Sequence, residues 1–94
     1  MSAHTIRLLI GGRVQGVGFR YFVAQEAARQ GIVGFTRNLR NGRVEVFAQG
    51  DGDAVASFCV ACGRGPHGAK VTRVDLSEVE DGTRYETFEI RRDE

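Results

Sequence analysis

Apolar residues at the start of the chain follow first a strand-like and then a helix-like spacing. They recur at every second position over Thr5–Gly11, which predicts a strand. They recur at every fourth position over Phe19–Gln30, which predicts a helix, and Gly31 follows as a stop signal. A glycine-rich segment, residues 12–18, connects the two elements.

The remaining pattern predicts a hairpin, a second helix and two further strands. In chain order these are strands over Ile32–Leu39 and Arg43–Gln49, a helix from the segment 50–53 to about Gly63, a strand over 71–79 and a last strand over Tyr85–Arg91. Asn41-Gly42 is typical of a tight hairpin turn. The imperfect alternation over 71–79 indicates a bulge.

This order of elements predicts the fold class. A β-α-β-β-α-β order with one short closing strand is typical of an α+β, ferredoxin-like sandwich, in which an antiparallel sheet carries two helices on one face. We expect a single domain over residues 1–94, with the third strand between the first two, which run parallel. The carboxyl ends of those two strands, which carry the glycine-rich segment and Asn38, would then meet at one edge of the sheet.

Composition and charge narrow the functional classes. The chain is 41% apolar and 27% charged, as in ordinary globular domains. It has no apolar run that could span a membrane and no signal-peptide pattern, so we expect a cytoplasmic protein without a membrane partner. The net charge of +1 argues against a general nucleic-acid binder. Residues 1–50 hold seven arginines and two acids, so the basic half contains the glycine-rich segment.

Cys59 and Cys62 form a C-x-x-C pair, a spacing that occurs in redox and zinc sites. Together with Val55 and Phe58, however, they follow the spacing of one apolar helix face. Because cysteine often packs as a small apolar residue, we expect both in the core. No metal and no cofactor are predicted.

The segment Gly12–Arg20 has the components of an anion site. Its glycines let several backbone N–H groups point inward, and the helix that follows contributes roughly half a positive charge at its N-terminus. Arg20 adds a planar fork of donors that fits phosphate oxygens. The alternative is a solvated arginine beside an ordinary turn. The segment lacks the Gly-Lys-Ser/Thr of nucleotide-binding loops.

Asn38 is the second candidate. It shares a strand face with Gly34 and Thr36, and a strand-end asparagine taken alone more often makes a local turn bond. Beside Arg20, its carboxamide could accept a hydrogen bond from water and donate one to a phosphoryl oxygen. Such a group is suited to positioning a hydrolytic water.

Two segments resemble the signature segments of the acylphosphatase family: Gly12-Arg-Val-Gln-Gly-Val-Gly-Phe-Arg20, and Gly34-Phe-Thr-Arg-Asn38 with the Gly42-Arg-Val44 and Gly50 that follow. The stretch from Gly65-Pro66 to Val74 is also similar. Thr36 departs from the pattern, since the family usually has a small apolar residue there. The resemblance implies that Arg20 binds phosphate and Asn38 orients water, and that the phosphate loop consists of Gln15, Gly16, Val17, Gly18 and Phe19.

The resemblance further implies a hydrolase that splits an acyl phosphate into a carboxylate and inorganic phosphate without metal or covalent intermediate. Neither segment contains His, Asp or Glu, so no general base is visible, but the substrate phosphate can itself take a proton from water. We expect a monomer whose partners are acyl phosphate and inorganic phosphate, with no nucleic acid. The alternatives are a carbamoyl-phosphate-handling domain and a ferredoxin-like RNA-binding or regulatory module, which would need exposed aromatics on its central strands.

Overall fold

The computed structural model describes residues 3–94, which form a sheet covered by two helices. The strands are β1 (His4–Arg13), β2 (Val33–Asn38), β3 (Val44–Gly50), β4 (Lys70–Glu78) and β5 (Phe88–Ile90), and the helices are α1 (Phe19–Gln30) and α2 (Gly52–Arg64). The predicted order of elements is confirmed. Helix α1 agrees with its prediction residue for residue, whereas β5 is shorter than the predicted strand over Tyr85–Arg91.

The strand order in the sheet is β4-β1-β3-β2-β5. Strand β3 lies between β1 and β2 and is antiparallel to both, which confirms that β1 and β2 run in the same direction. The sheet is not wholly antiparallel, because β5 pairs in parallel with β2. The connection 79–87 reverses the chain after β4, which is antiparallel to β1, so β5 runs in the direction of β1 and β2.

The irregularity predicted over 71–79 is a bulge in β4. Gly11 pairs with Arg73 and Gly12 pairs with Val71, so Thr72 has no partner in β1. The bulge lies at the end of β1 that leads into the glycine-rich segment.

The core lies between the sheet and one side of both helices. Alternate residues of β1 and β3 face it, and α1 contributes Phe19, Val23 and Ala27. Phe58 and Cys62 of α2 are fully buried, and Cys59 packs at the edge of this core, so the cysteines pack as predicted. Burial raises the pKa of the Cys62 thiol, and the nearby Cys59 and Glu26 shift it in the same direction. Neither helix within residues 3–94 has the length and apolarity needed to cross a membrane.

Candidate active site

The glycine-rich loop, residues 15–18, lies between two residues with buried side chains. Val14, which precedes it, is 1% exposed, and Phe19, which follows it, is 2% exposed. Val17 packs partly against the core, whereas Gly16 and Gly18 are exposed. The loop is therefore fixed at both ends and near its middle while its glycines face solvent.

Gly16 and Gly18 determine the course of the backbone through this loop. Their φ angles are 75° and 76°, in the left-handed region that costs a residue with a Cβ roughly 1–2 kcal/mol. A Cβ at either position would meet no atom within 4 Å. The requirement for glycine is therefore conformational and not steric.

Backbone N–H groups of the loop and of the first turn of α1 are free to bind an anion. The first hydrogen bond of α1 runs from the Phe22 N–H to the Gly18 carbonyl oxygen, at 3.1 Å, and no side chain caps the helix at Gly18. Within residues 3–94, none of the N–H groups from Gln15 to Tyr21 donates to a protein acceptor. Unpaired N–H groups at a helix N-terminus favour a negatively charged group, so this segment is the candidate anion cradle.

The Gln15 side chain ties the loop to the turn between β2 and β3. Its Nε2 donates to the carbonyl oxygens of Leu39, at 2.8 Å, and Arg43, at 2.9 Å. The side-chain Nε2 is thus bonded to the protein, and the backbone N–H is the donor of Gln15 that is left for an anion. Sequence reasoning grouped Gln15 with the phosphate loop and missed this tie, since the residue type alone does not reveal a partner 24 positions away.

Arg20 lies in the first turn of α1, and its side chain is 28% exposed. Its Nη1 donates to the Arg91 carbonyl oxygen, at 3.2 Å, and to Asp93 Oδ1, at 3.0 Å. Its Nε and Nη2 donate to no acceptor among the described residues. One edge of the guanidinium is therefore held by the protein, and the other edge is available to an anion.

Asn38 is the last residue of β2 and is partly exposed. Its side-chain amide makes no hydrogen bond within residues 3–94, while its backbone carbonyl oxygen accepts from the Glu94 N–H at 3.0 Å. Thr36, on the same strand face, is fully buried, and its Oγ1 donates to the Glu45 carbonyl oxygen at 2.8 Å. The hydroxyl that departs from the family pattern is therefore satisfied.

Residues 91–94, the C-terminal strap, connect Arg20 with Asn38. Asp93 contacts the Arg20 side chain, and its neighbour Glu94 contacts the Asn38 backbone. Adjacent Cα atoms are about 3.8 Å apart, so the two candidate residues lie at the same end of the sheet. The structure thus brings together the two groups that the strand order was expected to bring together.

Sequence reasoning ended the last strand at Arg91 and missed the path of residues 92–94. Residues 91–94 are Arg-Arg-Asp-Glu, and a terminal run of charged residues is typical of a solvated tail. All four are exposed, so neither burial nor periodicity distinguishes them. Only the pairing of the chain with β2 places Asp93 beside Arg20.

The open face of the sheet does not present a stacking platform for bases. Phe35 and Phe47 lie on this face and stack on each other, with ring centroids 4.8 Å apart. The Arg91 guanidinium covers Phe35 from 3.8 Å, and Phe35 is only 6% exposed. The burial of Phe35 argues against the RNA-binding alternative.

A cavity of about 470 Å³ lies at the opposite end of β1 from the loop. Its lining includes His4, Gln49 and Thr83, and it contains none of the candidate residues. The Gln49 amide is already bonded to Thr5, Thr83 and Tyr85. This cavity is therefore separate from the candidate residues of the glycine-rich loop.

The chain is similar to proteins of one family along nearly its whole length. The model of the acylphosphatase family matches residues 6–90. The chain is 40% identical to the acylphosphatase of Methylococcus capsulatus over 94% of this chain and 96% of the relative, and 47% identical to that of Thiobacillus denitrificans over 95% and 98%. The crystal structure of the acylphosphatase from Bacillus subtilis is similar with a TM-score of 0.90, 39% identity, and coverage of 94% of this chain and 98% of that one. The chain therefore belongs to the acylphosphatases, the enzymes that hydrolyse acyl phosphates.

Proposed function

We propose that Arg20 and the backbone N–H groups from Gln15 to Arg20 hold the phosphoryl group of an acyl phosphate while Asn38 orients the attacking water. The observation that carries this proposal is the row of N–H groups without protein acceptors, next to a guanidinium whose Nε and Nη2 are available. These donors complement the three terminal oxygens of a phosphoryl group.

Binding of the phosphoryl group supplies the electrostatic part of the mechanism. Charge-assisted hydrogen bonds contribute about 1.5–3 kcal/mol each, so Arg20 and several loop amides can lower the barrier substantially if they strengthen in the transition state. The loop is fixed by Val14 and Phe19 before the ligand arrives, so little reorganisation accompanies binding.

In the hydrolytic step, Asn38 orients the attacking water. Its carboxamide oxygen accepts a hydrogen bond from the water and its amide donates to a phosphoryl oxygen, which aligns the water with phosphorus. The water oxygen bonds to phosphorus, the bond from phosphorus to the acyl oxygen breaks, and the carboxylate leaves with the electron pair. The proton of the water passes to a phosphoryl oxygen, so the products are carboxylate and protonated inorganic phosphate.

The test compares variants of the two residues. Asn38→Ala should lower kcat for benzoyl phosphate by about 100-fold or more while competitive inhibition by inorganic phosphate stays nearly intact, because Arg20 and the loop N–H groups still bind the phosphate. Arg20→Gln should reduce both turnover and inhibition by phosphate. Arg29→Gln, an exposed arginine in the last turn of the same helix, is the matched control and should retain full activity. Full activity of Asn38→Ala would refute the water-orienting role.

The proposal also covers the location, oligomeric state and ligands of the protein. We infer a cytoplasmic monomer whose one domain spans residues 1–94 and whose ligands are acyl phosphate and inorganic phosphate, not nucleic acid. The net charge of +1 and the covered aromatics of the open face support this inference. Light scattering coupled to gel filtration tests the monomer, and a gel shift with single-stranded RNA tests the exclusion of nucleic acid.

The carbamoyl-phosphate alternative is less well supported. Relatives that are 40–47% identical and match over nearly their full length bear the name acylphosphatase. A comparison of carbamoyl, acetyl and benzoyl phosphate as substrates would show a preference for carbamoyl phosphate if the alternative were correct.

A further inference from the structure

The C-terminal strap continues the course of β5 along β2. The Arg91 N–H donates to the Thr36 carbonyl oxygen at 2.8 Å, and the Glu94 N–H donates to the Asn38 carbonyl oxygen at 3.0 Å. Regular parallel pairing would advance by two residues on each strand and would bring residue 93 to Asn38. The strap instead takes three residues to cover the distance of two, so it bulges at Arg92 and Asp93.

The Arg91 side chain anchors the strap on the open face of the sheet. Its guanidinium carbon lies 3.8 Å from the centroid of the Phe35 ring, a distance typical of a stacked arginine. Phe35 is in turn packed between Phe47 and Tyr85. The start of the strap is therefore held by a side-chain stack as well as by its backbone.

Arg91 and Asp93 of the strap hold the Arg20 side chain. Two acceptors, the Arg91 carbonyl oxygen and Asp93 Oδ1, bind the same nitrogen, Nη1, at 3.2 and 3.0 Å. This fixes the far end of a long side chain that would otherwise occupy many rotamers. Because the side chain is already ordered, a ligand at Nε and Nη2 would not have to order it.

We propose that Asp93 is a positioning residue that, together with the Arg91 carbonyl oxygen, sets the Arg20 guanidinium for binding the phosphoryl group. This inference rests on the proposed function of Arg20. Asp93 touches Arg20 and not the ligand, and its side chain is 62% exposed. An exposed ion pair adds little to stability, so its removal acts on the site and leaves the fold unchanged.

The opposite possibility is that the Asp93 carboxylate competes with the substrate for Arg20. The two roles predict opposite signs. If Asp93 positions Arg20, its removal weakens phosphate binding; if it competes, its removal strengthens phosphate binding. Nε and Nη2 of Arg20 donate to no acceptor within residues 3–94, and their availability favours the positioning role.

The experiment compares Asp93→Ala, Asp93→Asn and the neighbouring control Arg92→Ala. Arg92 is exposed, and within residues 3–94 its side chain makes no hydrogen bond. We expect Asp93→Ala to reduce kcat/KM for benzoyl phosphate by about tenfold and to raise the inhibition constant of inorganic phosphate. Asp93→Asn retains an acceptor for Nη1 and should recover part of the loss, whereas Arg92→Ala should match the wild type.

A second measurement follows Arg20 without relying on activity. The Nε–Hε resonance of Arg20, assigned by its loss in Arg20→Gln, should move or broaden in Asp93→Ala and stay in place in Arg92→Ala. Wild-type kinetics or tighter phosphate binding in Asp93→Ala, or an unmoved resonance, would overturn the inference. Full activity of Arg20→Gln would instead refute the proposed function, so the two failures are distinguishable.

Discussion

Replacement of Gly18 by alanine separates the shape of the phosphate loop from the stability of the fold. Gly18 has φ 76° and ψ 21°, and a Cβ there would contact no atom within 4 Å. The left-handed conformation costs alanine roughly 1–2 kcal/mol, and the stiffer unfolded chain returns about 0.4–1 kcal/mol of it. We therefore expect a loss of about 1 kcal/mol in the free energy of unfolding, which lowers Tm by about 4–8 °C in a domain of this size.

Gly82 provides a closely matched control. Its φ is 77°, and a Cβ there also meets nothing within 4 Å. It lies in the connection 79–87, near the cavity at the far end of the sheet. Gly82→Ala should therefore lose the same stability as Gly18→Ala while leaving the anion cradle untouched.

Hydrolysis of benzoyl phosphate, measured well below both Tm values, distinguishes the two variants. If alanine relaxes toward negative φ at position 18, the N–H groups of Gly18 and Phe19 turn away from the ligand. Because a displacement of about 1 Å can cost 100-fold in rate, kcat/KM should fall by about that factor in Gly18→Ala and not in Gly82→Ala. Equal activity of the two variants at equal loss of stability would refute the role of loop shape.

Three further predictions concern the hydrogen bonds of Gln15, the buried thiol of Cys62 and the absence of a metal requirement. Gln15→Ala removes two hydrogen bonds and should lower the free energy of unfolding by about 1–3 kcal/mol in urea titrations while raising KM; an unchanged KM would mean that the tie does not shape the loop. Burial raises the pKa of the Cys62 thiol, so the unfolded chain loses this proton at lower pH than the folded one, and stability should fall as pH rises above about 9. Urea titrations should show a shallower fall in Cys62→Ala, and an equally steep fall would contradict the assignment. Prolonged treatment with EDTA should leave turnover unchanged, and a loss that a divalent cation restores would show that a metal takes part.

The local patterns of the chain were sufficient to predict most of the fold. Phe19, Val23 and Ala27 define one helix face, and Gly31 ends the helix, so α1 could be placed to the residue. Strand β5 could not, because its three residues lie in a polar segment and pair only through contacts with β2. Its parallel direction follows from the path of the chain around the sheet, which periodicity does not encode.

Some features of the candidate site could likewise be predicted from the sequence, and others could not. The position of the glycine loop, Arg20 and Asn38 at one end of the sheet could be predicted from the strand order, whereas their roles stay predictions. The Gln15 tie and the contact of Asp93 with Arg20 could not, since each joins residues that are distant in the chain. Both depend on where the chain passes after a turn or a strand end, which follows from tertiary packing.

The central claim is that the N–H groups of the loop and Arg20 form the phosphate site. A titration of ¹⁵N-labelled protein with inorganic phosphate, followed by amide chemical shifts, tests this claim most directly. Saturable shifts concentrated in Gln15–Tyr21 and in the Arg20 Nε–Hε resonance are the predicted result. Saturable shifts concentrated elsewhere, such as around His4 and Thr83, with those of Gln15–Tyr21 unchanged, would contradict it.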